Sequence, residues 1–278
     1  MSSTTVATLP TDHRTGELYR FDHPSISDIM RDMYIGAGEL GPGDPAPEFD
    51  LSTTDGGRVA SADLAKGGRP LLLIFGSRTC PVTESGGDDL RHLHTAFRDR
   101  VRFVMVQVRE AHPGAAIPQP KTPEQKLSHA IALKAHHRLP FEVAVDDLDG
   151  TLHRKLGARP NSAFLIDKQG TIVFRAHWAN EAGPLRRALA DVSAGRKPSP
   201  ATVSRTPFAV MKAVGYMSPV LAAAGRGAKA DTWKVAPPMG VMMTLSDLLF
   251  FLPANKRGKC LIGMTAIGAM LVGLALRY

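Results

Sequence analysis

Leu71-Leu72-Leu73-Ile74-Phe75 is an unbroken apolar run held between Pro70 and Gly76, and it restricts the fold more than any other segment of the chain. A strand with one wet face alternates apolar and polar residues. A run without alternation must be covered on both faces, like the inner strands of parallel sheets. Val101 to Val108 is a second such run. Between the two, Pro81 opens a helical stretch with Leu90, Leu93, His94 and Phe97 on one face. Strand, helix and strand in this order form a βαβ unit, whose crossover makes the strands parallel.

The flanking segments extend this unit. Ser25 or Ser27 can cap a short helix in which Ile26, Ile29, Met30, Met33 and Tyr34 fall on one stripe, so that helix needs a surface to dock on. Gly36 to Pro47 is a Gly/Pro linker, followed by an extended segment at 48–52 and a short helix at 61–66. A helix over about 123–139 leads to a strand at 142–145, a helical turn at 151–156, and two runs at 162–166 and 171–175. Asp167-Lys168-Gln169-Gly170 joins those runs as a hairpin turn, and 182–193 closes as a helix. The order βαβ, αβ, β-hairpin and helix is the thioredoxin order, in which a parallel and an antiparallel half share one sheet.

Cys80 carries the chemistry. It follows the first buried strand by five residues and immediately precedes Pro81, whose locked φ suits the first turn of a helix. Free backbone N–H groups and the helix dipole at that position favour a thiolate, with a pKa drawn below the usual ~8.5. The alternative is a buried structural thiol, since free cysteine is among the most buried residue types.

Phe75-Gly76-Ser77-Arg78-Thr79-Cys80-Pro81 resembles the active-site loop of the iodothyronine deiodinases, thioredoxin-fold enzymes whose selenocysteine falls at Cys80. Glu110-Ala111-His112-Pro113 is similar to the segment that follows the next strand in that family, and His129 lies where the family places an active-site histidine. Gly43-Asp44-Pro45-Ala46-Pro47-Glu48-Phe49 is similar to the entry segment of the wider peroxiredoxin and redoxin superfamily. The resemblance implies Cys80, Glu110 and His129 as catalytic residues, and Thr83, His112, Arg159 and Pro160 as substrate contacts. Pro160 matches the cis-proline that faces the nucleophile in thioredoxin folds, which would set the Arg159 backbone beside Cys80.

The departures are equally specific. Cysteine replaces selenocysteine, Arg78 stands where the deiodinase loop commonly has another cysteine, and His177-Trp178 occupy the region of a hormone-binding basic residue. Thr83 replaces the resolving cysteine of thioredoxin, so no local disulfide forms and an external thiol must regenerate the enzyme. Leu73 and Ser77 stand where a peroxiredoxin signature has proline and threonine. His92, His94, His136 and His137 read as surface or packing residues, because no carboxylate joins them at ligand spacing, and no metal is expected.

Charge separates the tail from the rest. Of a net charge of +8, residues 201–278 hold nine Lys and Arg against only Asp231 and Asp247, together with seven of the eleven methionines. A nucleic-acid partner is therefore not expected despite the basic total. Leu261 to Leu276 is uncharged and follows Lys256-Arg257-Gly258-Lys259, a marginal membrane helix, with Met239 to Leu252 as an interfacial helix before it. A soluble helical tail that packs or dimerises is the alternative. The first thirty residues show no secretory h-region, so a cytoplasmic, membrane-associated protein is expected.

Taken together, the sequence predicts an α/β thioredoxin-like fold with a C-terminal helical, membrane-anchoring extension. Its parts are an N-terminal extension (1–40), a redoxin domain (41–195) and a basic, Met-rich tail (196–278) with the membrane helix at 260–276. The expected function is a thiol-dependent oxidoreductase acting on a small electrophile, either a halide, a peroxide or a disulfide. It binds no cofactor and takes electrons from thioredoxin or a low-molecular-weight thiol; a homodimer is compatible with the tail. A single-cysteine peroxidase and a membrane-tethered, non-enzymatic binding module are the rival readings.

Overall fold

The computed structural model describes residues 19–275, with side chains to residue 264. Helix α1 (Ile26–Asp32) is capped by Ser25, whose hydroxyl accepts from the Asp28 amide while the Asp28 carboxylate accepts from the Ser25 amide. Strands β1 (Asp50–Thr53) and β2 (Arg58–Ala60) form a hairpin, and the short helix α2 (Leu64–Gly67) leads into β3 (Leu71–Gly76). Helix α3 (Pro81–Phe97) and strand β4 (Arg102–Gln107) complete the βαβ unit. Helix α4 (Pro123–His137) starts on a Thr122 cap, and strand β5 (Glu142–Val145) follows it. After α5 (Thr151–Lys155) come the hairpin β6 (Ala163–Ile166) and β7 (Ile172–Ala176), helix α6 (Ala182–Ser193) and a two-residue strand β8 (Thr202–Val203).

One eight-stranded sheet results, in the order β2-β1-β5-β4-β3-β6-β7-β8. Strands β3, β4 and β5 are parallel, while β6 runs antiparallel to β3 and β7 antiparallel to β6. This is the expected meeting of a parallel and an antiparallel half. Strand β3 lies at the join with Leu71 to Phe75 fully buried. Leu72 and Ile74 enter one core with Leu90, Phe103 and Leu133, while Leu71, Leu73 and Phe75 enter another with Phe49, Val104 and Phe164. The missing alternation in the sequence therefore reports two covered faces. Each such side chain contributes about 1.5–3 kcal/mol through burial.

From Thr206 to Ala275 the tail is built of helices, α7 (Thr206–Ala224), α8 (Ala228–Val235), α9 (Pro237–Leu248) and α10 (Ala254–Ala275). Val214, Met217, Leu221, Met243 and Leu261 form its own core. Helix α10 crosses α7 so closely that a side chain at Gly258 would run into the Met211 carbonyl. Among the described residues, α7 is the helix long and apolar enough to cross a membrane, and half of its apolar window is buried. The sequence reading did not single it out. Of the expected membrane helix at 260–276, the backbone is helical to Ala275, and the side chains from residue 265 onward lie outside the described residues.

Candidate active site

Cys80 is the N-cap of α3, in extended conformation, with Pro81 in the first turn. It is only 2% exposed. Helix α7 lies over it, packing Ala209 and Ala213 against Cys80, Val82 and Trp178. Among the bonds that pin α7 there, Asn180 Nδ2 donates to the Ala209 carbonyl at 2.9 Å, and Lys212 Nζ pairs with Asp89 at 2.5 Å. Helix α1 closes another side. Three successive carbonyls at its end are held, Asp32 by His177 Nε2 at 2.8 Å, Met33 by the Thr206 hydroxyl at 3.1 Å, and Tyr34 by the Arg159 guanidinium at 2.6 Å.

Beneath these helices lies a cavity of about 100 Å³. Cys80, His112 and Pro160 line it from the redoxin sheet side, Asp32 and Met33 from the N-terminal segment, and Met217 from the tail. The lining is otherwise mostly apolar, which sets the electrostatics. Burial pushes the Cys80 thiol up, and the charge of Asp32 adds to the rise. The Thr83 amide and hydroxyl and the Val82 amide act in the opposite sense by favouring the thiolate, but they do not offset the burial. The expectation of a lowered thiol pKa is therefore corrected: the helix N-terminus is present, but desolvation under α7 outweighs it. Cys80 also makes no capping hydrogen bond.

Thr83 is buried in the first turn of α3, and its Oγ1 accepts from Asn161 Nδ2 at 3.2 Å. Asn161 is oriented by two further bonds, to the Phe75 carbonyl at 3.1 Å and from the Ala179 amide at 3.1 Å. His112 lines the cavity, and its Nδ1 is buried without a hydrogen-bond partner. Burial lowers its pKa to about 4, so the imidazole is neutral at physiological pH. Burial likewise pushes the Asp32 carboxyl up to about 6, against the pull of Arg109 and Arg159.

Glu110 and His129 come together, with His129 Nδ1 2.9 Å from Glu110 Oε1, but neither lines the cavity. Glu110 is fully buried and accepts from the Thr79 amide at 3.0 Å, the Thr79 hydroxyl at 2.7 Å and Gln107 Nε2 at 3.0 Å. Thr79 Oγ1 in turn accepts from the His112 amide at 3.1 Å. Glu110 thus organises the loop that presents Cys80 and His112.

Two further expectations change. The Arg159–Pro160 bond is trans, and among the described residues the cis bond is Ser199–Pro200. Gly157 and Ala158 both take positive φ, which turns the chain ahead of Pro160 without a cis bond. The Arg159 carbonyl accepts from His153 Nε2 at 2.8 Å, and its guanidinium is engaged by Tyr34, Gly157 and Glu39, so both of these groups are already occupied. The histidines at the end of α4 do have a carboxylate beside them: Glu84 of α3 lies 2.8 Å from His136 Nε2 and 3.7 Å from His137 Nε2. Asp32, Asn161 and the tail side chains were missed by sequence reasoning, and only the apolar stripe of α1 signalled that its helix docks somewhere.

Comparison with known proteins follows the same lines. Residues 42–175 match the AhpC/TSA family. Thyroxine 5-deiodinase of Gallus gallus is 30% identical over 157 residues, 53% of this chain and 58% of that protein. The Sus scrofa thyroxine 5-deiodinase is 32% identical over 143 residues, 48% of this chain and 46% of that protein. The chain spans about half the length of the curated relatives it matches. Among solved structures, an uncharacterized conserved protein from Geobacillus kaustophilus aligns with a TM-score of 0.46 at 19% identity, covering 58% of this chain and 86% of that one. Peroxidoxin BcpB from Mycobacterium tuberculosis aligns with a TM-score of 0.39 at 16% identity, covering 56% and 96%. Residues 42–175 thus match the AhpC/TSA family, in a chain similar over about half its length to the thyroxine 5-deiodinases.

Proposed function

We propose that the protein is a thiol-dependent oxidoreductase in which Cys80 attacks a small, largely apolar electrophile held in the cavity beneath α1 and α7. The observation that carries this reading is the cavity itself, where a cysteine at a helix N-terminus shares an apolar space with a neutral imidazole whose Nδ1 has no partner. The neutral His112 imidazole accepts the proton that Cys80 gives up as it attacks and passes it to the leaving group, a role suited to imidazole. Thr83 favours the thiolate as it forms. With a peroxide, the sulfur takes the terminal oxygen and the O–O bond breaks, releasing an alcohol or water. One external thiol then displaces water from the sulfenic acid to form a mixed disulfide with Cys80, and a second attacks that bond, regenerating the Cys80 thiol and releasing the disulfide of the two external thiols.

Size favours a small substrate. An apolar cavity of about 150 Å³ accommodates benzene, and this one is smaller, at about 100 Å³. A two-ring iodothyronine would have to displace α7 or α8. The same enclosure favours a low-molecular-weight thiol over a protein reductant.

The exposed side chains Leu248, Phe250 and Phe251, beside Lys256, Arg257 and Lys259, support docking of the α9–α10 corner on an anionic membrane surface.

The test is direct. Purified chain is mixed with a small alkyl hydroperoxide, an aromatic disulfide or an aryl iodide in the presence of a low-molecular-weight thiol, and turnover is followed beside Cys80→Ser. Turnover of at least one substrate that is lost in Cys80→Ser supports the assignment. An inert Cys80 toward all three, or equal rates in the variant, would falsify it.

A further inference from the structure

Helices α3 and α4 meet through a group of side chains that the redoxin site does not use. Glu84 lies in the first turn of α3, and His136 and His137 end α4. His136 Nε2 is 3.0 Å and 2.8 Å from the two Glu84 oxygens, and His137 Nε2 is 3.7 Å from Oε2. One potential ligand atom from each of the three residues lies within 4.8 Å of the others. The two imidazoles stand edge to face, 4.8 Å between centroids.

His137 supplies the independent observation. It is only 5% exposed, and its Nε2 is buried without a hydrogen bond. A buried nitrogen without a partner is costly, and few native groups tolerate it. This one faces a carboxylate oxygen at a distance too long for a hydrogen bond and suited to a shared ion. Space for the ring is built in: any side chain at Gly87 would meet His137 Nδ1 at 2.9 Å.

We infer that Glu84, His136 and His137 form a binding site for a divalent transition-metal ion of the zinc class. Two imidazole nitrogens and one carboxylate oxygen make up a donor set that zinc takes, with three protein ligands and one position left to water. Bonds of about 2.1 Å place tetrahedral ligand atoms about 3.4 Å apart, and the separations from Glu84 Oε2 of 2.8 Å and 3.7 Å bracket that value. The fourth position opens to solvent, because His136 is partly exposed. Binding replaces the hydrogen bond between His136 and Glu84 with two metal bonds and ties the first turn of α3 to the end of α4.

The experiment uses the full chain, free of affinity-tag histidines, with Cys80→Ser and Cys260→Ser so that thiols do not compete. Zinc is titrated against a chromophoric chelator, and cobalt is added separately to read coordination from its visible absorption. One equivalent of zinc is expected, with affinity reduced at least about tenfold in Glu84→Gln and in His136→Ala, since even outer-shell partners cost that much. Cobalt should give a tetrahedral spectrum that both substitutions abolish. Absence of zinc uptake by the parent chain, or equal uptake by the parent and both variants, overturns the site. Both variants alter partly exposed positions and keep the core intact, so their melting curves distinguish lost binding from lost folding.

Discussion

Asn161 Nδ2 donates to Thr83 Oγ1 at 3.2 Å, and this bond determines what Thr83 can do for Cys80. A hydroxyl that already accepts has its own proton free. Thr83 can therefore direct that proton at the sulfur, adding to its amide, and partly offset the desolvation imposed by α7.

Thr83→Val keeps the shape and removes the hydroxyl. The thiol pKa of Cys80 should rise by about one unit, the worth of one hydrogen bond of about 1.4 kcal/mol. Asn161→Ala should move it the same way by less. Alkylation rate against pH measures both, and an unchanged or lowered midpoint in Thr83→Val removes Thr83 from the site.

Asp32→Asn should act in reverse. Its carboxylate raises the Cys80 pKa, so neutralising it should increase alkylation at pH 7.5 severalfold. The amide can also keep the contact with Arg109, which limits damage to α1. Slower alkylation in a folded variant would mean that Asp32 assists the thiolate.

Glu110→Gln should destabilise the protein by about 1–3 kcal/mol, because an amide N–H₂ would face donors where a fully buried carboxylate now accepts. His129→Ala should stay close to wild type in stability, since His129 is partly exposed, and should slow turnover less than Glu110→Gln does. Equal melting temperatures for wild type and Glu110→Gln would contradict the loop-organising role.

Stability should rise with pH between about 5 and 6.5. His112, His137, His153 and His177 are all held below the ordinary imidazole value by burial, to about 4, about 3, well below and about 4. The unfolded chain takes up protons near 6.5 while the folded one does not, so acid favours unfolding. Asp32, Asp146 and Glu181 are pushed up by burial and act oppositely. Between pH 5 and 6 the folded Asp32 holds a proton that the unfolded chain has lost, which reduces the slope, but the four histidines outnumber it. A melting temperature higher at pH 5 than at pH 7 would refute the assignment of neutral buried histidines.

Much of the fold was legible in the chain itself. The unbroken run 71–75 required two covered faces, and β3 has them. Cys80-Pro81 marked the start of α3, and Asp167 to Gly170 marked the β6–β7 turn, because caps and turns are local chemistry. The paired strands β2 and β8 were not read, being two or three residues long with no periodicity to detect.

The site was only half legible. Cys80, His112 and Pro160 line one cavity, and Thr83 lies beside Cys80. Whether the thiol is eased or hindered in ionising was decided by α7, more than 120 residues downstream, since desolvation depends on what covers a group and leaves no mark near it in sequence. The same holds for Asp32, brought to the cavity by three carbonyl contacts at the end of α1, and for Glu84, brought to His136 and His137 by the packing of α3 on α4. Sequence determined the strands, the turns and the place of Cys80 at a helix start, all set by short-range geometry and apolar pattern. Tertiary structure alone decided the electrostatics, because charge, burial and ligand distance are properties of neighbours in space.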